Sequence, residues 1–230
     1  MPRQQLITTL HQLAEPAYRD FAARLIPGET RLLGVRLPAL RKLARQYASG
    51  NWRQLLATPA AADASFEELL LRAMLPAYAA DATLSERLRY LQQEQPNLNN
   101  WSLCDSACAT CRFVRDHLDA VFPWLESSYL HSEKEFTARF GIVMLNHYYA
   151  ADARWAPHVI RALREVPQDA YYAAMAVAWC ACTLLTARID LRDDVGMELL
   201  APGYLPDHTR KLLLRKLRES QKKWSNDKIY

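Results

Sequence analysis

The segment Asn99-Asn100-Trp101-Ser102-Leu103-Cys104-Asp105-Ser106 sets an indole and a carboxylate four residues apart. With Asn99 or Asn100 as N-cap, the two share one face of a helix. An indole face attracts a cation, and a carboxylate beside it can position water or stabilise positive charge. A second reading of the same residues puts Trp101 in the core and pairs Asp105 with an arginine of a neighbouring hairpin. Arg139, in EKEFTARFGIVML, sits in an otherwise apolar helix, where a guanidinium needs a carboxylate or a phosphate. Trp179, in YYAAMAVAWCAC, lies in a helix of small apolar residues and by itself reads as core.

Other motifs carry less. Cys104, Cys108 and Cys111 have the C-x3-C-x2-C spacing of radical cluster enzymes. That cluster needs a loop, whereas these cysteines fall on a helix, so buried thiols are expected. Cys180 and Cys182 have no adjacent base. His117 and Asp119 echo an iron-oxygenase pair without the β-scaffold that site requires. No H-E-x-x-H, P-loop or G-x-G-x-x-G motif occurs, and the six histidines are scattered. Neither a metal nor a cofactor is expected.

The elements that position these residues follow from composition. Glycine is 6 of 230 residues, while alanine (34) and leucine (35) dominate, which favours helix and disfavours a sandwich, a barrel or a Gly-rich nucleotide fold. Helices are expected at about 3–24, 38–49, 65–79, 84–95, 100–110, 113–128, 133–150, 153–165, 169–187, 191–200 and 207–222. Ser65 with Glu68, Thr83 with Glu86 and Ser132 with Glu135 have capping-box spacing, and Pro38 suits a first helical turn. The breaks IPGE, ATPAAAD and APGYLPD are turns rather than linkers, so residues 1–230 read as one domain.

About ten helices with short connections imply helical hairpins, stacked either as a solenoid or as an irregular bundle. The solenoid is preferred because no helix is expected to be apolar all round. The fold class expected is therefore all-α, a right-handed α-α superhelix of HEAT-like repeats. MPRQQLITTL lacks a long apolar run and no stretch approaches a membrane span, so a cytoplasmic location with reduced cysteines is expected. The net charge of +4 is uneven: from residue 200 on there are eight Lys/Arg and three Asp/Glu, which suggests an anionic partner.

The motifs GVRLPALRKLA (34–44), FEELLL (66–71), NWSLCDS, EFTARFGIVML and YYAAMAVAW, with the basic RKLLLRKLRES, occur in an order and spacing that resembles the AlkD-like DNA alkylation repair family of HEAT-repeat DNA glycosylases. The resemblance covers nearly the whole chain. It implies that Trp101 and Trp179 are the cleft tryptophans, that Asp105 is the essential acid, and that Arg139 supports the DNA backbone beside the lesion. It further implies excision of N3- or N7-alkylated purines from double-stranded DNA without base flipping, by a protein that needs no second copy. Near Arg24-Leu25-Ile26-Pro27, where some members place a tyrosine of the cleft, this chain has aliphatic residues. Arg36, Arg41, Lys42, Lys211, Arg215 and Lys216 are candidate phosphate contacts. The rival reading is a non-catalytic HEAT-like module that binds nucleic acid or protein.

Overall fold

Helix-forming sequence interrupted by proline and capping residues gives the element order of the protein, seen here in a computed structural model that describes residues 3–187 and 198–220. The described residues are all-α, with no strand among them. The α-helices that lie wholly within the described residues are α1 (Arg3–Leu13), α2 (Pro16–Leu25), α3 (Leu37–Ala48), α4 (Trp52–Leu56), α5 (Phe66–Tyr78), α6 (Leu84–Glu94), α7 (Trp101–Cys108), α8 (Leu118–Leu125), α9 (Glu135–Tyr148), α10 (Ala156–Glu165), α11 (Tyr171–Ala187) and α12 (Asp207–Glu219). They divide between two compact units, Met1–Phe113 and Val114–Tyr230.

Several expectations change. The helix expected at 3–24 is two helices. Pro16 has no donor N–H and disfavours helical backbone at Glu15, which is extended at φ −117° and ψ 110°. The helix expected at 113–128 is a 3-10 turn (Arg112–Asp116), α8 and a π turn (Glu126–Leu130), with the break at His117. Helix α4 was not foreseen. Most of the helix expected at 191–200, and residues 221–222 of the last one, lie outside the described residues.

Of the three capping-box spacings one forms the box in full, one forms half of it and one forms none. Thr83 and Glu86 form a full capping box at the start of α6. Arg53 reinforces it, and with the Thr83 N–H holds the Glu86 carboxyl down to about 2. Ser65 accepts from the Glu68 N–H at α5, while the Glu68 carboxylate turns to Arg3. Ser132 and Glu135 make no box. Ser132 accepts from the Lys134 N–H, and Glu135 reaches across to accept from the Tyr172 N–H at 2.6 Å, in the first turn of α11.

In the first unit, α3 and α5 run parallel. The loop before α3 meets the start of α5, and Arg45 near the end of α3 lies 4.8 Å over the Tyr78 ring at the end of α5. Helix α7 packs on α5. Glu67, 1% exposed, accepts from the N–H groups of Leu33, Gly34 and Val35, which satisfies one half-buried and two buried donors with one carboxylate. Gly34 has φ +95°, and a Cβ there would lie 2.5 Å from the Glu15 carbonyl oxygen. Gly34→Ala is therefore expected to lower stability by about 3 kcal/mol, read as a lower urea midpoint at unchanged slope.

In the second unit α9, α11 and α12 are parallel neighbours. Glu135 meets Tyr172 at the starts of α9 and α11, and His147 meets Trp179 further along both. His208 donates to the Gln168 carbonyl just before α11, while Lys216 and Thr186 line one groove near the far ends. Helix α11 carries no charged residue and is buried along most of its length, so the expectation that no helix is apolar all round fails for it. Its alanines let both neighbours approach closely.

Candidate active site

Helix α7 is started by Asn100, whose Oδ1 accepts from the Leu103 N–H at 3.0 Å. Its Nδ2 donates to Glu29 at 3.2 Å, and Glu29 also accepts from the Arg31 N–H. One side of α7 (Leu103, Cys104, Ala107, Cys108) is buried. Trp101, Ser102, Asp105 and Ser106 are only half-buried, so the indole and the acid share the face that solvent reaches. Trp101 is not a core tryptophan. Its Nε1 donates to the Leu25 carbonyl at 3.3 Å, at the end of α2. The aliphatic segment Arg24–Pro27 thus lies beside the indole. Nothing in the sequence announced a backbone carbonyl as the anchor of Trp101.

The thiols are set apart from this chemistry. Cys104, Cys108 and Cys111 form no disulfide and are fully buried, and burial pushes the Cys111 thiol up to about 12. Burial also raises Cys180 and Cys182, so none of these three offers a ready thiolate. Asp119 pairs with Arg154 at 3.7 Å rather than with His117. Among the described residues no group of three or more His, Cys, Asp or Glu could hold a metal ion.

In the second unit Arg139 is buried, 4% exposed, and its Nη1 donates to the Tyr172 carbonyl at 2.7 Å. Its guanidinium lies 5.9 Å from the Tyr172 ring. Glu135, one turn earlier, holds the N–H of the same tyrosine. The acid and the arginine of α9 therefore grip one residue of α11 from both sides, through the two peptides that flank the Tyr172 Cα. Trp179 is half-buried on α11, edge-on to His147 at 5.9 Å. With Thr183, Lys216 and Glu219 it lines an open groove of about 290 Å³ between α11 and α12. Nothing in the residue pattern pointed to His147 beside the indole. A Glu135 to Arg139 spacing of four residues was the only trace of the α9 grip.

The basic candidates are placed as follows. Arg36 pairs with Glu15 at 2.9 Å and lies 4.8 Å over the Tyr18 ring. On α3, Arg41 is half-buried and Lys42 exposed. On α12, Lys211 and Arg215 are exposed, and Lys216 borders the Trp179 groove. No helix among the described residues is long and apolar enough to cross a membrane.

A family model described as DNA alkylation repair enzyme matches residues 6–171. Trp101, Asp105 and Arg139 fall inside that stretch, whereas Trp179 and the basic residues of α12 fall beyond it. Comparison with curated proteins and with solved structures gave no match.

Proposed function

The chain belongs to the DNA alkylation repair enzyme family, and from that premise we propose that it is a DNA glycosylase that releases positively charged N3- or N7-alkylated purines from double-stranded DNA without flipping the base. The observation that carries this reading is the half-open face of α7, where Trp101 and Asp105 stand one turn apart. A purine alkylated at N3 or N7 is already cationic, so it departs as a neutral base and needs no proton from the protein. Departure leaves an oxocarbenium-like sugar, as in glycoside hydrolysis. Asp105 stabilises that cation and directs a water to the anomeric carbon. Trp101 offers its π-face to the same charge.

Trp179 and Arg139, in the second unit, take the parts the resemblance gives them, as second cleft tryptophan and as support for the DNA backbone. Arg36, Arg41, Lys42, Lys211, Arg215 and Lys216 contribute phosphate contacts, which fix register without reading sequence. The reaction requires no metal, no cofactor and no second copy of the chain.

The test is incubation with duplex DNA that contains 7-methylguanine. Release of the free base, with an abasic site left in the strand, is the expected result. Duplex binding without release of any alkylated base would instead make the protein a non-catalytic helical module.

A further inference from the structure

Helix α2 is unusual in how little it buries. Of its ten residues only Ala22 is buried, and Phe21 and Leu25 are 55% and 50% exposed. Among the described residues four large apolar side chains are exposed, and three of them (Leu13, Phe21, Leu25) fall within 13 positions of one another. Tyr18, Phe21, Ala22 and Leu25 lie within an arc of about 100° on the helix. One edge of this apolar stripe, Ala22, faces the unit. The other edge, Phe21 and Leu25, faces outward.

Two features say what covers it. The ridge is continuous with the candidate site, since the Leu25 carbonyl accepts from the Trp101 indole. It also stands in positive surroundings: residues 14–45 hold seven Lys/Arg against three Asp/Glu. Arg36 lies over the Tyr18 ring, which in turn sits 6.3 Å from the Phe21 ring. Arg24 is exposed beside Leu25. A polyanion with apolar rings between its charges suits that pattern, and the DNA backbone, deoxyribose between phosphates, is such a polymer.

We propose that Phe21 and Leu25 form an apolar ridge that packs against the deoxyribose rings of duplex DNA, with Arg24 and Arg36 on the flanking phosphates. This rests on the reading that DNA is the partner, but it does not require base excision. The ridge supplies a salt-independent part of the affinity, because an apolar contact releases no counterions.

The experiment is full-chain binding to a short undamaged duplex, followed across salt concentration. Phe21→Ser is expected to weaken binding about tenfold and leave the slope of log affinity against log salt unchanged. Leu25→Ser, on the same exposed edge, is expected to do the same. Arg24→Gln is expected to flatten that slope by about 0.9. Wild-type affinity in both serine variants would overturn the proposal. So would a wild-type dimer in sedimentation that Phe21→Ser converts to monomer, since the ridge would then belong to a second copy. A wild-type protein that binds by this ridge yet releases no 7-methylguanine leaves the ridge standing and removes the glycosylase. Release of the base with unaltered binding in both serine variants does the reverse.

Discussion

Asp105→Asn protein is expected to bind a 7-methylguanine duplex as the wild type does and to release the base at least about 100-fold more slowly. The amide keeps the shape of the side chain and removes only its negative charge. A sugar that turns cationic as the base leaves loses the group placed to stabilise it, while the uncharged contacts of binding persist. Because Asp105 sits on the half-buried side of α7, away from Leu103 and Cys104, the substitution leaves the packing of the first unit in place. Single-turnover base release with saturating enzyme separates the two effects. A normal rate in the variant removes Asp105 from the reaction.

The second large effect is on stability. Arg72 and Glu94, both almost fully buried, form a two-pronged pair at 2.7 and 2.9 Å. Arg72 also donates to the Leu55 and Thr58 carbonyls, so one guanidinium ties α5 to α6 and to the end of α4. Glu94→Ala leaves that cation in the core without its counter-charge. A cost of about 3–5 kcal/mol follows, because the desolvated charge keeps its penalty and loses its compensation. For a chain of this size that is a drop of about 6–20 °C in melting temperature. Replacement of both residues together, Arg72→Met with Glu94→Leu, is expected to recover most of the loss, since an apolar pair needs no compensation. Calorimetry of the two variants distinguishes a lost ion pair from a lost shape: equal damage in both would assign the effect to packing alone.

Much of the fold was legible because it is written in local chemistry. Thr83 with Glu86 and Asn100 before Trp101 mark helix starts that the structure keeps. Pro16 was an equally local signal, and the break it causes between α1 and α2 was missed because Leu6, Leu10, Leu13, Ala17 and Phe21 continue a helical period across it. The candidate site was legible in kind, as an indole and an acid one turn apart, and the structure decides against a core role for Trp101. What the sequence hides is long-range and backbone-borne. Leu25 holds Trp101 through a carbonyl, which every residue possesses. Glu135 was read as a cap for its own helix and serves another helix 37 positions away. The repeat was equally faint, yet the packed helices of the first unit begin at residues 37, 66 and 101, and those of the second at 135, 171 and 207. Their regularity lies in spacing, because burial asks only for small and apolar side chains and leaves their identities open.

Glu67 and Glu135 share one feature: each, in the first turn of its own helix, accepts from amides at or just before the start of a parallel neighbour. A helix start laced in this way is complete only while the adjacent helix is docked. The amide hydrogens of Gly34 and Tyr172 thus act as latches whose solvent exchange times the undocking of α5 from α3 and of α9 from α11. Either unit can be followed at a single peptide as it opens, without any probe attached.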